Sequence, residues 1–561
     1  MKTLQKKQGI IFIITSGFVV VLALLTILFP FRIDLTEEKR YSLHPATIEI
    51  LRELEEPIEV EILLSGTLPS GMKRLQKGIE QTIKTFNAYS EFKIEYYYQD
   101  PLTLPEGEQK DYILALAEFG INPTNLFVTE NGVQKSQMIF PGIVVRNEEF
   151  EIGALVLRGE KGMSPEEILN QSIENLEYEL IQLIKKLVSR RKQSIGIVIG
   201  HGEEEKEDGF GLVEGLIQDY EVFKIPMDQA KKVEDFDPFS AIIVSGPRFS
   251  YSDQEVYFLD QYLMRGGKLM FLLDGTDVDI KDAGGEGTVA LPIDSGLDQL
   301  LFKYGVRVNK DLIQDLSLGY HAVMAGEFGD QDQMIRLPWP FYVVAGRMAK
   351  HPITKGLDQV IFRFTSSIDT VKAVGVKKTP LIFSSDYSKI VQAPIPVSFQ
   401  QMAAEPDVES FTRKNLPLMY LLEGQFTSLF KNRFLPNGID QKNFKEESTD
   451  GKIIVAGSGN LFKSALDLSR NEPLPLGVDP FFQMNYANRQ LLQNVLAYLI
   501  ESEGVISVRN KQLQIRPLDK VKVQREKLKW QLINVLLPVI LILMAGFLWV
   551  RIRKNKHQFM K

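Results

Sequence analysis

Two uncharged apolar blocks, Ile10 to Phe29 and Gln531 to Val550, stand near opposite ends of a 561-residue chain. Crossing the hydrocarbon core of a bilayer as a helix takes about 20 residues at ~1.5 Å rise each, and each block has that length. Their flanks set an orientation, because Lys and Arg tend to stay on the cytoplasmic side. Lys2, Lys6 and Lys7 precede the first block, and Arg551, Arg553, Lys554, Lys556 and Lys561 follow the second. Both termini are therefore expected in the cytoplasm. Lys520, Lys522, Arg525, Lys527 and Lys529 crowd the other flank of the second block, so the orientation rests mainly on the first. A cleavable signal peptide would have an apolar core of only ~7 to 15 residues followed by small residues. Here the block is longer and runs into Pro30, Phe31 and Arg32, which favours an uncleaved anchor.

Between the anchors lie roughly 500 residues expected to form one periplasmic body, with 44% hydrophobic and 24% charged residues in the chain as a whole, a globular balance. The tails carry +3 and +5, which leaves −15 for residues 8–550 out of a whole-chain −7. An acidic body argues against a nucleic-acid surface, which needs a basic face to neutralise phosphates. With no cysteine in the chain, disulfides, thiolate metal ligands and a cysteine nucleophile are excluded.

The body reads as α/β in two parts. In the first, over 32–192, "PIEVEILLSG" (57–66) and "FKIEYYYQDP" (92–101) have strand character, and Leu75, Ile79, Ile83 and Phe86 share one face of a helix. A short helix is expected from Asp111 to Phe119, then a β-rich stretch, "KSQMIFPGIVVRNEEFEI". A long helix follows over 164–192: Ser164 and Glu167 have capping-box spacing, and Leu169, Ile173, Leu176, Leu180, Leu183 and Leu187 form one seam. A coiled-coil contact is possible for such a seam, but one of under four heptads more often packs on its own domain.

The second part, over 193–505, carries apolar runs that read as buried parallel strands: "IGIVIG" (195–200), "AIIVSGP" (241–247), "KLMFLLDG" (268–275) and "KIIVAGSGN" (452–460). Ser252 and Glu255 make a second capping box, for a helix lined by Val256, Leu259 and Leu263 and stopped by Gly266-Gly267. The interval of about 276–450, with "DAGGEG" and a tryptophan loop "RLPWPFYVV", reads as a large insertion, and a helix is expected over Asn488 to Ile500. A membrane-proximal linker is placed at 506–530.

Ligands of open α/β sheets bind beyond the carboxyl ends of the strands. His201, Ser245, Asp274 and Ser458 all lie at such ends, with Glu203 beside the first, and are the candidate ligand rim. His201 with Glu203 could serve as a metal or acid/base pair, yet no second histidine stands at zincin spacing, and His44, His321, His351 and His557 are scattered. The plainer reading of "IGIVIGHGEEE" (195–205) is a strand end meeting a solvated acidic helix start. "GSGNLFKS" (457–464) departs from a phosphate loop, because Phe462 stands where glycine is required. Ser245, in "IVSGP", is not in a nucleophile elbow.

"RIDLTEEKRYSLHPATIEILRELEEPIEVEILLSG" (32–66), "IGIVIGHGEEE" and "IRPLDKVKVQREKLKWQLINVLLPVILIL" (515–543), in this two-anchor layout, resemble the GldG-type family, the gliding-motility-associated ABC-transporter auxiliary proteins of Bacteroidota. That resemblance implies a GldF-type permease and a GldA-type ATPase as partners, and a link to gliding and type IX secretion. It also implies a middle domain akin to one in an intraflagellar-transport protein and to glutamine-amidotransferase-like sheets, without their cysteine chemistry. The first part would suit a thioredoxin-like fold lacking C-x-x-C, and hence dithiol chemistry.

A non-enzymatic accessory subunit is the leading expectation, with no cofactor, no metal and no catalytic residue assigned. Small residues in the two spans, Ser16, Gly17 and Ala23 and then Ala545 and Gly546, suit helix contacts in lipid, and Pro538 is tolerated there. Two rival expectations are a binding protein capturing a small molecule, sugar or peptide at the rim, for which Trp339 and Phe341 could close a pocket, and a hydrolase using His201 and Glu203.

Overall fold

The computed structural model describes residues 42–66, 68–130, 133–157, 164–188, 192–203, 210–278, 280, 282–284, 287–328, 331–439, 443–467, 472–479, 485–500 and 520–558, with Gly17 and Val508. The chain divides into two units, Tyr41–Asn510 and, separately, the two ends Met1–Arg40 and Lys511–Lys561.

The larger unit begins with helix α1 (Pro45–Arg52), strand β1 (Ile58–Ile62), helix α2 (Ser70–Phe86), strand β2 (Ile94–Tyr98) and helix α3 (Glu106–Glu118). A hairpin of β3 (Thr124–Glu130) and β4 (Val133–Ile139) follows, then β5 (Gly142–Arg146), β6 (Glu151–Leu155) and helix α4 (Pro165–Val188). Four of these strands form a sheet in the order β2-β1-β5-β6, with β1 parallel to β2 and antiparallel to β5. Alternation decides what each face covers. Ile58, Val60 and Ile62 share a core with Leu75, Ile79, Ile83 and Phe86 of α2 and the leucines of α4, while Leu63 and Val144 pack with Leu116 of α3 on the other side. Each fully buried Leu, Ile or Phe contributes roughly 1.5–3 kcal/mol.

The leucine seam of α4 is thus spent inside its own unit. Gly78 permits the close approach of α2, since a Cβ there would fall 2.9 Å from Leu176 Cδ1. The cap expected for α4 is present: Ser164 N donates to Glu167 Oε2 at 2.8 Å, and Glu167 N to Ser164 Oγ at 3.3 Å. Helix α3 differs from expectation by starting five residues early. Its opening "EGEQK" carries no apolar periodicity, but Pro105 precedes it with a φ suited to a helix start.

The second α/β layer runs β7 (Ser194–Ile199), helix α5 (Phe210–Leu216), β8 (Glu221–Pro226), β9 (Ala241–Ser245), helix α6 (Asp253–Met264) and β10 (Lys268–Leu272). Further on come helix α7 (Asp298–Tyr304), β11 (Val306–Val308), β12 (Asp311–Asp315), β13 (Leu318–Phe328), β14 (Gln331–Ala345) and β15 (Arg347–Met348). Later elements include β16 (Val360–Arg363), β17 (Ile368–Thr370), β18 (Val376–Phe383), β19 (Ser388–Gln392), β20 (Pro417–Gly424), β21 (Gly451–Ala456) and helix α8 (Asn488–Ile500). An eight-stranded sheet has the order β15-β18-β20-β21-β10-β9-β7-β8. The four apolar runs read from sequence as β7, β9, β10 and β21 are neighbours and parallel. The interval 276–450 supplies β15, β18 and β20, which continue the same sheet as antiparallel strands beside β21. One core lies on each face of this sheet.

The tryptophan loop is instead a strand. "RLPWPFYVV" belongs to β14, which pairs with β13 and, over Tyr342 to Ala345, with β16. Its prolines mislead because proline is normally barred from central strands. Pro338 and Pro340 lie where β14 has no partner on its β16 side, and Pro340 falls in the register shift between Leu318↔Val343 and Gly319↔Trp339.

In the smaller unit, helix α9 (Lys520–Gln558) contains the second apolar block and Pro538. It begins inside the stretch read as a linker, 506–530. Glu526–Ile552, 27 residues with no part of the span buried, is the one helix among the described residues long and apolar enough to cross a membrane. At ~1.5 Å per residue it reaches about 40 Å, more than the ~30 Å hydrocarbon core. The first apolar block lies outside the described residues except for Gly17.

Candidate functional site

The carboxyl edge of the large sheet is where a ligand would be sought, and the chain itself fills it. Asp274, just past β10, accepts a hydrogen bond from Gly459 N at 2.7 Å, and Ser245 Oγ donates to Gly459 O at 3.3 Å. Gly459 has to be glycine: a Cβ would sit 2.4 Å from Asp274 Oδ2 and 2.6 Å from Gly246 Cα. Ser458 is fully buried and donates to Arg363 O at 2.9 Å. The segment after β16 closes over this point, with Ser366 N donating to Gly457 O at 2.6 Å. Ser245, Asp274 and Ser458 therefore come together, as interlocked strand ends rather than the rim of an open crevice. Burial pushes the Asp274 carboxyl up to about 7, against the opposing pull of the Gly459 N–H and the Arg248 guanidinium.

His201 and Glu203 form a separate cluster, and the reading of a solvated acidic edge is corrected there. His201 is 7% exposed and Glu203 3%. Gly200 and Gly202, at φ +123° and +81°, turn the chain back, and the His201 carbonyl accepts from both Arg248 N and Phe249 N. Glu203 accepts from His201 N at 2.6 Å and from the Tyr251 hydroxyl. The His201 ring stacks on Tyr251 at 3.8 Å, and its Nε2 lies 3.2 Å from Glu255 Oε2. Glu255 is also the reciprocal partner of Ser252 in the capping box of α6. The carboxylates are thus held by a turn, a tyrosine and a helix cap. Glu204 and Glu205 lie outside the described residues.

The other sequence landmarks are likewise packed. His44 caps α1, its ring accepting from Ala46 N at 3.3 Å. His321 sits against Trp339, Tyr342 and Phe399 and is held down to about 4 by burial and then by Arg363. Burial likewise holds His351, beside Tyr498, to about 4. Trp339 and Phe341 are buried inside this aromatic core. In "GSGNLFKS", Phe462 is core, and a Cβ on Gly211 of α5 would be 2.7 Å from Ser464 N, so no phosphate cradle is present. Burial holds Lys463 down to about 8. Among the described residues no three His, Asp or Glu side chains converge as a metal site.

Two open clefts lie outside the filled edge. One, of about 760 Å³, has a polar lining that includes Gln182, Gln218 and Gln493. The other, of about 1190 Å³, abuts the edge at Gly275, where a Cβ would meet the carbonyl of Asn309 on the cleft wall at 2.0 Å.

Residues 192–495, which take in the eight-stranded sheet and the first part of α8, match the family described as an ABC-type uncharacterized transport system. The chain belongs to this family. Membership supports an accessory role in an ABC transporter-like system, and its span coincides with the large sheet. Residues 37–146 match a domain of unknown function, DUF7088, which covers α1 to β5. An uncharacterized protein of Borreliella burgdorferi is 20% identical over 535 residues, 93% of this chain and 94% of that one. Among solved structures the mmIFT52 N-terminal domain is similar at a TM-score of 0.29 and 16% identity, over 48% of this chain and 88% of that one.

Sequence reasoning missed a buried group within the matched region. Asp260 of α6, fully buried, accepts from Ser428 Oγ at 2.6 Å, Leu429 N at 2.8 Å, Gln261 Nε2 at 2.9 Å and the Tyr304 hydroxyl at 2.9 Å. Its signal was available: an acid inside the otherwise apolar run "VYFLDQYLM".

Proposed function

We propose that the chain is a membrane-anchored, non-catalytic accessory subunit of an ABC-type transport complex, with ATP turnover in a partner. One observation carries this reading: a family match to an ABC-type transport system in a chain that also bears a fully exposed apolar helix, Glu526–Ile552. An apolar surface of that length calls for lipid or another membrane helix as its environment. Trp530 near its start, with Arg551 at its far end, suits anchoring at the two interfaces.

The finer reading places a second anchor at Ile10 to Phe29, both termini in the cytoplasm and the body in the periplasm. Its partners would be a permease of the GldF type and an ATPase of the GldA type, in a machine serving gliding and type IX secretion. Support comes from the charge flanks and from the three segments that resemble the gliding-motility auxiliary proteins. For the first domain, a thioredoxin-like reading is supported by the order β2-β1-β5-β6 with only the first pair parallel. The filled strand-end edge favours a scaffold over ligand capture at His201, Glu203, Ser245, Asp274 and Ser458.

A photo-reactive amino acid placed at Leu541 or Ala545, in the exposed apolar helix, tests the membrane contact. Illumination of whole cells is expected to yield one discrete adduct with a multispanning membrane protein. Adducts with lipid alone from both positions would refute a helix-mediated dock.

A further inference from the structure

The larger cleft has no part in the reading above, and its chemistry is specific. Part of its lining comes from two short antiparallel pairs, β11 with β17 and β12 with β19. Helix α7 makes one wall, and the segments around Arg413 and Arg433 contribute to the rest. Five cationic side chains line it, Lys303, Arg307, Lys310, Arg413 and Arg433, against three carboxylates, Asp298, Asp311 and Asp369.

The carboxylates are committed. Asp369 pairs with Arg307 at 2.9 Å, and Asp298 with Lys310 at 3.1 Å. Asp311, 1% exposed, accepts from Ser367 N at 2.8 Å and Ser367 Oγ at 2.7 Å. That leaves three cations. Lys303, Arg413 and Arg433 have no carboxylate within salt-bridge distance among the described residues, and the Arg433 guanidinium donates to the neutral amide of Gln299, at 3.1 Å. A local excess of positive charge on a chain of net −7 concentrates anions at that place.

Apolar side chains share the lining. Phe302 on α7 is 52% exposed, and Ile390 and Leu416 are half-buried. A cavity with a few polar anchors among apolar walls is how small-molecule sites are built, and arginine presents a planar fork that matches phosphate and carboxylate oxygens.

We propose that this cleft binds a small organic anion, a phosphate or carboxylate head on an apolar body, with Arg413, Arg433 and Lys303 on the head and Phe302 against the body. It is distinct from the strand-end positions His201, Ser245 and Ser458, which are not in its lining.

The test uses the full chain in phosphatidylcholine nanodiscs and 1-naphthyl phosphate as the probe, with bound probe read by equilibrium dialysis. At an ionic strength of ~20 mM, where screening is weak, saturable binding at about one site per chain is expected. Lys303→Ala with Arg413→Ala should weaken it about ten-fold or more, the loss of charge-assisted contacts, and Phe302→Ser should weaken it less. Both substitutions are on exposed surface, and an unchanged circular dichroism spectrum serves as the folding control. 1-Naphthol and inorganic phosphate should each compete at least ten-fold more weakly than the probe. Absence of saturable binding, equal binding by the double variant, or equal competition by either fragment would overturn the proposal.

Discussion

Asp260→Ala is expected to destabilise the body by about 4 kcal/mol or more, the largest effect of any single substitution considered. Four donors from four residues converge on this one carboxylate: Ser428 Oγ, Leu429 N, Gln261 Nε2 and the Tyr304 hydroxyl. Gln261 Nε2 keeps the Lys445 carbonyl at 3.0 Å, but alanine takes the acceptor from Ser428, Leu429 and Tyr304, and each orphaned buried donor costs ~1–3 kcal/mol. The loss is also one of connectivity. Asp260 ties α6 to α7 through Tyr304 and to the segment after β20 through Ser428 and Leu429, so three elements loosen together. Tyr304→Phe removes a single donor and leaves the carboxylate three partners, so it should cost only about 1 kcal/mol. Urea midpoints of the two variants beside the parent check the ranking; equal midpoints for parent and Asp260→Ala would show that the network is dispensable.

Asp274→Asn should have the opposite sign at alkaline pH. Burial raises the Asp274 carboxyl from its ordinary 3.8 to about 7, so the folded chain holds this proton more tightly than the unfolded one. The corresponding stabilisation is fully present below about pH 4 and is lost as pH rises through 7. A shift of this size is on the order of 4 kcal/mol at pH 8. Asparagine stays neutral at every pH and its Oδ1 can still accept from Gly459 N. The variant should therefore match the parent near pH 4 and exceed it at pH 8, with a flatter profile between. Thermal or urea midpoints at the two pH values read the difference directly. A parent whose stability is unchanged from pH 5 to pH 8 would mean that Asp274 is ionised without penalty.

The sequence was most legible where its signals are local. Ser252 with Glu255 and Ser164 with Glu167 announce their helices within four residues, and both caps form as expected. β7, β9, β10 and β21 are buried on both faces, so they stand out as unbroken apolar runs. β14 hid because its prolines occupy an unpaired side and a register shift, facts that belong to the partner strands rather than to β14 itself. Ser245, Asp274 and Ser458 lie at strand ends, as their apolar runs imply, yet the closure of the chain over them was not legible. It depends on Gly457 and Gly459 meeting Ser366 and Asp274, which are 91 and 185 residues away along the chain. The cationic cleft was invisible for the same reason. One side of its lining lies within Asp298 to Asp311, but the other residues, among them Asp369, Arg413 and Arg433, come from segments far along the chain.

Membership in an ABC-type transport family, a filled strand-end edge and an exposed apolar helix all point to a subunit that works through partners. Purification of the tagged full chain from its own cells in mild detergent, after crosslinking, is the most direct measurement. It should recover a multispanning permease and a nucleotide-hydrolysing subunit in fixed proportion to the chain. Recovery of the chain alone, with neither companion enriched over a membrane-protein control, would contradict the assignment.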